Sequence, residues 1–363
     1  MPSPYQQELF NAIVASGKMD ISVRYFSATA SDRDWERRTL SGHERIMPSR
    51  HLNLFGCRIR SNPEVLAEIR RADVDLVIVS DYSFLTAQVA MWYLTCTGRK
   101  WLYWGERPGM KSGVFRGWAR QILMLPIRYG AAGISAIGSL AEKSYRELFG
   151  SKKLIMNIPY FCDLERYREL APMPHLRIKV LYCGQFIVRK GLDILLQAFI
   201  RIAKECPDVD LVLAGGNPDS PFLKGLIPDN LRDRIEIAGF YQPENLPTLY
   251  ARADIFVLPS RHDGWGIVVN EALGAGLPVI ASDQVGAVHD LIVHGENGYI
   301  FPSGDAQKLA DYLRLLAESS ELRRRFSEAS RQRSELFGLE EGVRRWKHVC
   351  ELVIENNQNL SQN

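Results

Sequence analysis

Two carboxylates, Asp263 and Glu271, flank a predicted strand-to-helix transition with seven residues between them. The strand is predicted over Ile255–Leu258 and the helix over Gly266–Ala275, which places Asp263 in the loop and Glu271 about a turn and a half into the helix. Carboxylates accept hydrogen bonds from hydroxyls, and the free N–H groups at a helix start favour an anion. The spacing therefore predicts a ligand with both hydroxyls and phosphates, such as a nucleotide sugar.

The sequence around these carboxylates resembles the donor-binding segment of family 4 retaining glycosyltransferases, which have the GT-B fold. In that family two acidic residues with seven residues between them enclose an aromatic–Gly step, and a small-residue helix and a Gly-Leu-Pro-Val strand follow. Here the first carboxylate is Asp263 rather than the usual Glu. The matching pieces are Trp265-Gly266, Glu271-Ala272-Leu273, Gly276-Leu277-Pro278-Val279, Gly286 and Asn297-Gly298. A generic α/β unit with solvated acids is the alternative, which the length and order of the match disfavour.

The resemblance implies that a sugar leaves a nucleoside diphosphate with retention of its configuration. No aspartate-rich metal motif stands out in the sequence and the basic residues could replace a metal, so we expect neither a metal nor another cofactor. The resemblance also implies that Asp263 holds sugar hydroxyls as a catalytic candidate and that Glu271 holds the ribose. The backbone N–H groups near the helix start would stabilise the leaving phosphate. The donor-contacting residues expected in this segment are Asp263, Gly264, Trp265, Gly266, Ile267 and Glu271.

A second group of candidates follows an earlier predicted strand. Gly184 permits a tight exit from that strand, and Arg189 and Lys190 stand before the next helix, where basic charge is unfavourable unless an anion is bound. In the family, a Gly-Arg pair and a Lys-Gly pair hold the donor phosphates. Lys190-Gly191 matches the second pair, whereas Gln185 stands where the Arg is usual. Lys190 is therefore a catalytic candidate, and Gly184, Gln185 and Arg189 are donor-binding candidates.

Two further candidates follow other strands. Tyr241 follows the strand predicted over Ile235–Ala238 and is a candidate for stacking on a nucleobase, although a plain loop aromatic fits equally well. Glu106 follows the strand predicted over Lys100–Trp104, and strand carboxyl ends line ligand clefts in open α/β sheets. Glu106 is a candidate to take the proton of an acceptor hydroxyl. The alternative is a surface carboxylate paired with Arg107.

The periodicity of apolar residues predicts alternating strands and helices, and hence parallel sheets with crossover helices. In the first half, strands are predicted over Ile21–Phe26, Asp75–Ser80, Lys100–Trp104, Gly133–Ile137 and Leu154–Ile158, and helices over Tyr5–Ala15, Phe84–Thr95, Val114–Ile127 and Ser139–Leu148. In the second half, strands are predicted over Lys179–Cys183, Leu211–Ala214, Ile235–Ala238, Ile255–Leu258, Val279–Ala281 and Gly298–Phe301, and helices over Leu192–Cys206, Leu246–Ala251, Gly266–Ala275, Lys308–Glu318 and Glu340–Glu355.

The fold class expected from the resemblance is α/β of the GT-B type, with two Rossmann-like doubly wound domains facing each other across a cleft. The first domain, 1–168, would bind the acceptor and be joined by the C-terminal helix at about 340–356. The second, 175–338, would bind the nucleotide-sugar donor, and the polar stretch Asp163–Pro174 would link the two. The opening residues Met1–Tyr5 resemble a loop that follows a first strand, so we expect the natural start upstream; a rewired first domain is the alternative.

Composition favours an enzyme of the cytoplasm. The chain has 363 residues, of which 46% are hydrophobic, and its six cysteines are scattered without a Cys-x-x-Cys pair. Such cysteines are typical of reduced thiols. No apolar run reaches the ~18 residues of a membrane helix. The N-terminus lacks the pattern of a signal peptide.

The basic residues of segment 98–130 outnumber its acids by seven to one and are interspersed with Trp, Tyr and Phe. This mixture suits an anionic membrane surface, and so a peripheral position on the inner face of the membrane. The alternatives are an ordinary domain face or, less favoured, nucleic acid, which we do not expect as a partner. The basic residues on or near the predicted helix are Lys111, Arg116, Arg120 and Arg128.

The expected function is a retaining glycosyltransferase that acts on a glycan or lipid-linked acceptor in cell-surface polysaccharide or glycoconjugate synthesis. The alternatives are another GT-B nucleotide-sugar enzyme, an epimerase or hydrolase, and a non-catalytic nucleotide-binding protein.

Overall fold

The computed structural model describes residues 1–28, 35–36, 38–54, 57–109, 114–173, 175–223 and 225–355. The chain divides into two compact units. The first comprises Met1–Tyr160 and Glu340–Asn363, and the second comprises Phe161–Leu339. Among the described residues, none of the helices has both the length and the hydropathy needed to span a bilayer.

The first unit is built on a four-stranded parallel sheet. Its elements are α1 (Pro4–Ala15), β1 (Val23–Tyr25), β2 (Glu44–Ile46), β3 (Arg50–Leu54), β4 (Cys57–Ser61), α2 (Val65–Arg71), β5 (Val77–Ser80), α3 (Leu85–Thr97), β6 (Trp101–Gly105), α4 (Val114–Leu123), α5 (Leu125–Gly130), β7 (Gly133–Ala136), α6 (Ser139–Phe149) and β8 (Ile155–Asn157). The sheet has the order β5-β6-β7-β8, and β1 pairs with β2 separately. Helices between successive strands are what parallel pairing requires.

This unit differs from the prediction in two places. The strands β3 and β4 form an antiparallel hairpin, so the expectation of purely parallel pairing was wrong there. The helix predicted over Val114–Ile127 is two helices, α4 and α5, with a break at Met124. Pro126 stands in the first turn of α5, where its missing N–H costs nothing, whereas inside a continuous helix it would remove a backbone hydrogen bond.

The second unit is built on a six-stranded parallel sheet. Its elements are α7 (Glu165–Arg168), β9 (Ile178–Cys183), α8 (Leu192–Ile202), β10 (Val209–Ala214), β11 (Ile235–Gly239), α9 (Leu246–Tyr250), β12 (Ile255–Leu258), α10 (Val268–Gly274), β13 (Val279–Ser282), α11 (Val288–Leu291), β14 (Gly298–Phe301), α12 (Ala306–Glu318) and α13 (Ser320–Ser334). The strand order is β11-β10-β9-β12-β13-β14. This is the order of a doubly wound Rossmann sheet, and it reverses between β9 and β12.

Burial explains why these strands form. The residues of β12 and β13 are all buried, as are the last four of β9, so both faces of the central sheet are covered. Strands buried on both faces carry continuous apolar runs, here Ile255–Leu258 and Val279–Ala281. The sheet is therefore a rigid support for the loops at its edges.

The last helix, α14 (Leu339–Glu355), belongs almost entirely to the first unit. Its Trp346 is buried and packs edge-on against Trp104 of β6, with the ring centroids 5.1 Å apart. Near the other end of the helix, Lys100 Nζ donates to the carbonyl oxygen of Ile354 at 2.9 Å. The first unit is thus made of two separate stretches of chain.

We predict that Trp346→Ala lowers the free energy of unfolding of the protein by about 3–5 kcal/mol, because it leaves a cavity against Trp104. Urea unfolding followed by circular dichroism measures the loss. The matched control is Trp118→Ala, because Trp118 is 71% exposed and its removal should cost less than about 0.5 kcal/mol. Equal losses in the two variants would contradict the packing of α14 described above.

Candidate active site

Two loops carry most of the candidate donor residues. One follows β9 and holds Gly184–Lys190, and the other follows β12 and holds Ser260–Ile267. Because β9 and β12 are neighbouring parallel strands, their carboxyl ends meet at the same edge of the sheet. This is also the point at which the strand order reverses, where doubly wound sheets bind their ligands.

Lys190 and Asp263 join these two loops. Lys190 Nζ lies 2.5 Å from Asp263 Oδ2, and the two side chains are only 13% and 12% exposed. The backbone of Asp263 is held from both sides, since its N–H donates to Gln284 and its carbonyl accepts from Gly286, both in the loop after β13. The two catalytic candidates predicted from the sequence are therefore in direct contact, on two loops, and a third loop holds the backbone of Asp263.

Arg189 and Arg261 hold the same two loops together. Arg189 Nη1 donates to the carbonyl of His262 at 3.0 Å, and Arg261 N donates to the carbonyl of Arg189 at 2.8 Å. The guanidinium of Arg261 in turn binds both carboxylate oxygens of Asp193, at 2.7 and 2.6 Å. This hydrogen bond lowers the pKa of Asp193 below its ordinary value. Arg189 thus positions the loop carbonyls beside Asp263.

Glu271 is buried on α10 and has a partner that sequence reasoning missed. The hydroxyl of Tyr250 donates to Glu271 Oε2 at 2.8 Å. Burial raises the pKa of Tyr250 well above its ordinary value, so the phenol keeps the proton that it donates. No spacing rule pairs these two residues, because one lies at the end of α9 and the other follows the intervening strand β12.

Trp265 and Gly266 form the aromatic–Gly step, and the structure buries the Trp265 side chain that the resemblance places among the donor contacts. The indole of Trp265 is only 1% exposed and donates to Asn270 Oδ1, so it is a core side chain. Gly266 has a φ of 93°, and a Cβ there would lie 2.9 Å from a methyl of Val285. The helix α10 begins at Val268, two residues after the predicted start, while Gly264 and Ile267 are half-buried in the loop.

The remaining donor candidates lie at different distances from this centre. Gln185 is held through its carbonyl, which accepts from the hydroxyl of Tyr182 at 2.8 Å, and a Cβ at Gly184 would lie 3.1 Å from that hydroxyl. Tyr241 is half-buried in the loop after β11. The strand β11 is the outermost of the sheet and lies two strands from β9. The sheet spacing puts the ends of those strands about 10 Å apart.

Residues 165–333, which contain both loops, match the family described as Glycosyl transferases group 1. This segment of the second unit is similar to the glycosyl transferases group 1 family. The α/β architecture with two parallel sheets agrees with the expected GT-B fold class.

Individual relatives support the family and the fold. The alpha-D-kanosaminyltransferase of Streptomyces kanamyceticus is 35% identical over 41% of this chain and 39% of its own length. The phosphatidyl-myo-inositol mannosyltransferase of Mycobacterium leprae is 27% identical over 74% of this chain and 72% of its own. The structure of a sucrose-phosphate synthase from Thermosynechococcus elongatus aligns with a TM-score of 0.74 at 23% identity, over 99% of this chain and 93% of that one. The chain spans half or less of the length of the first curated relatives it matches.

Glu106 lies in the first unit, at the carboxyl end of β6. Its side chain is exposed, and Oε1 accepts from the hydroxyl of Tyr160 at 3.2 Å. Its backbone carbonyl accepts from the hydroxyl of Tyr145 at 2.8 Å. These contacts place the carboxylate at a strand end, as the sequence predicts, and tie it to its own unit.

We predict that Asp193→Asn lowers the free energy of unfolding in a pH-dependent way, because it removes the ion pair with Arg261. The folded-state pKa of Asp193 is depressed, so the stability it contributes is fully present above the unfolded value of about 3.9 and is lost as pH falls through the folded value. At pH 7 the variant should lose about 1 kcal/mol of unfolding free energy, as expected for a part-exposed bidentate pair. Urea unfolding at pH 7 and near pH 3 measures the difference, which should shrink at the lower pH.

The matched control for this measurement is Asp219→Asn, because Asp219 is exposed in a loop of the same unit. It should leave the unfolding free energy unchanged at either pH. A loss for Asp193→Asn that is the same at both pH values would mean that the ionised pair with Arg261 does not contribute.

Proposed function

We propose that the protein is a glycosyltransferase that moves a sugar from a nucleoside-diphosphate sugar to a glycan or lipid-linked acceptor, with retention at the anomeric carbon. The observation that carries the proposal is the Lys190–Asp263 pair at the point where the strand order reverses. Both residues lie within the segment that matches the family. Synthesis of a cell-surface polysaccharide or glycoconjugate is the process that this reaction would serve.

Lys190 would stabilise the leaving diphosphate. An ammonium group has three N–H donors, and the contact with Asp263 uses one of them, so two remain for phosphate oxygens. Negative charge grows on the leaving group during transfer, and a preorganised cation stabilises it without reorganisation. Arg189 supports this role because it fixes the carbonyl of His262, next to Asp263.

The two carboxylates would orient the donor. Asp263 has a second carboxylate oxygen to offer to a sugar hydroxyl while Oδ2 holds Lys190. Glu271, which Tyr250 holds through Oε2, would accept from a ribose hydroxyl. Burial raises the pKa of the neighbouring Cys183 thiol to about 12, so this sulfur is not a nucleophile at neutral pH.

In the first unit, Glu106 would take the proton of the acceptor hydroxyl.

We predict that Lys190→Ala lowers kcat/KM for donor turnover by about 100-fold or more, because one preorganised charge contact is lost. Glu271→Gln should weaken binding of the nucleoside diphosphate about tenfold, since a neutral amide replaces a charged acceptor. A panel of nucleotide sugars identifies the donor first, and then calorimetry and turnover assays compare the variants. Lys204→Ala and Glu335→Gln, both exposed in the same unit, are the matched controls.

The Lys190 variant also leaves a nearly buried carboxylate unpaired, which destabilises the fold. The double variant Lys190→Met with Asp263→Asn removes both charges and should recover thermal stability without recovering turnover. Recovery of turnover as well would show that Lys190 acts only in folding. Full donor turnover by the wild-type protein in the absence of any acceptor would indicate a hydrolase or epimerase instead.

The helices α4 and α5 support a lipid-linked acceptor. Trp118 and Ile122 share one face of α4, being four residues apart, and are 71% and 58% exposed. Tyr129 of α5 is 73% exposed. Arg120 donates to the carbonyl of Gly109 and Arg128 to that of Leu148. Lys111 and the side chain of Arg116 lie outside the described part of the chain. Exposed Trp and Tyr beside arginines suit the interface of an anionic bilayer.

We predict that the protein binds vesicles of equal parts phosphatidylglycerol and phosphatidylcholine, and that binding weakens as salt rises because the charge contribution is screened. Trp118→Ser with Ile122→Ser should reduce binding about tenfold or more, as sedimentation with vesicles would measure. Leu315→Ser, at an exposed apolar position of the second unit, is the control. Indifference of the wild-type protein to these vesicles at low salt would favour a soluble acceptor.

A further inference from the structure

A cavity of about 180 Å³ lies in the second unit, at the opposite edge of the sheet from the candidate donor loops. Part of its wall comes from the segments just before β12 and β13, so it adjoins the amino ends of those strands. The rest comes from α13 and from the stretch around α7. Because the donor candidates follow the carboxyl ends of the same strands, the cavity is a separate site.

The wall carries an excess of positive charge. Arg323, Arg324 and Arg331 of α13 line it, and Asp254 is the only acid among its lining residues. Asp254 is already engaged, since its Oδ2 accepts from Lys179 N at 2.7 Å and lies 2.5 Å from His175 Nε2. Within the described residues, neither Arg324 nor Arg331 has a carboxylate within ion-pairing distance. The arginines therefore have charge available for an anion.

A glycine at the cavity wall, Gly276, leaves space for the side chain of Arg331. Gly276, two residues after the end of α10, has a φ of 73°, and a Cβ at that position would lie 2.9 Å from Cγ of Arg331 and 3.1 Å from its Cζ. The guanidinium therefore lies directly over the turn at the cavity wall. Arg323 is oriented from the other side, because its Nη1 donates to the carbonyl of Ala317 at 2.9 Å. Arg323 is thus held at the wall by the backbone, and Arg331 packs against the turn at Gly276.

One side chain connects the cavity to the donor edge. Tyr250 lines the cavity, and its hydroxyl donates to Glu271 Oε2 at 2.8 Å. The ring of Tyr167, which also lines the cavity, packs edge-on against Tyr250 with the centroids 5.5 Å apart. A ligand in the cavity would therefore lie beside Tyr167 and Tyr250, and Tyr250 holds the Glu271 carboxylate.

We propose that this cavity binds a small phosphate monoester, and that its occupancy is transmitted to Glu271 through Tyr250. Arginine forks match the oxygens of a phosphate bidentately, and the tyrosine and aliphatic wall would pack against a short carbon skeleton. The cavity is smaller than the roughly 300–1,000 Å³ typical of sites for larger ligands. The transmission rests on the function proposed for Glu271, whereas the binding site does not.

Binding is tested first with glycerol 3-phosphate, by calorimetry at constant ionic strength. The wild-type protein and Arg325→Gln, which removes an exposed arginine of α13 outside the cavity, should bind equally. Arg324→Gln with Arg331→Gln should bind at least tenfold more weakly, because two charge-assisted contacts are lost. Lys190→Ala should bind as the wild type does. Equal affinity in the double variant, or loss of binding in Lys190→Ala alone, would overturn the site.

The source of the phosphate is tested with vesicles that contain phosphatidic acid. If the natural ligand is soluble, as we propose, such vesicles should leave the affinity for glycerol 3-phosphate unchanged. Displacement of glycerol 3-phosphate by these vesicles, abolished in the double arginine variant, would assign the phosphate to a lipid head group and overturn the soluble ligand.

Transmission is tested by measuring the affinity for UDP and GDP with and without saturating glycerol 3-phosphate. The affinity of the wild-type protein for the nucleotide that binds should change at least threefold. Tyr250→Phe, which keeps the ring and loses the hydroxyl, should show no such change. An unchanged affinity in the wild type would overturn the transmission. Failure to bind any nucleotide would count against the proposed function alone, because the phosphate titration stands independently.

Discussion

The ion pair between Lys190 and Asp263 requires the rest of the second unit to keep two loops in a fixed relative position. Two charges that are almost withdrawn from water are tolerated only while they face each other, since either one alone would be left buried and uncompensated. The loops after β9 and β12 must therefore stay next to each other. The bidentate contact of Arg261 with Asp193 and the hydrogen bond from Arg189 to His262 hold them there. Without the sheet beneath them, these contacts would not come together.

The strand order explains how residues far apart in the chain reach one edge. Lys190 and Asp263 are separated by 73 positions, yet β9 and β12 are hydrogen-bonded neighbours. The same topology puts the cavity lined by α13 at the other edge, with Tyr250 reaching from one to the other. A doubly wound sheet thus offers two chemically distinct ends, one with paired charges and one with cations in excess.

Much of this arrangement could be predicted from the sequence where the signal is local. The strands β12 and β14 have the predicted bounds because apolar runs between turn residues identify them. The motif from Asp263 to Asn297-Gly298 identified the family and the GT-B fold. The hairpin of β3 and β4 was missed because its strands carry Arg50, His51 and Arg60 and lack a clean apolar alternation. The contacts of Asp193 with Arg261 and of Tyr250 with Glu271 depend on tertiary structure, so no local pattern could reveal them.

The discontinuity of the first unit bears on how the chain folds during synthesis. The second unit is a single stretch, Phe161–Leu339, so all of its strands have left the ribosome before α14 is made. The first unit is synthesised early, but Trp346 cannot pack against the indole of Trp104 until α14 emerges. Domains that appear first usually fold first. Here the order of completion is reversed, because the first unit lacks the contact between Trp104 and Trp346 until the whole second unit has been translated.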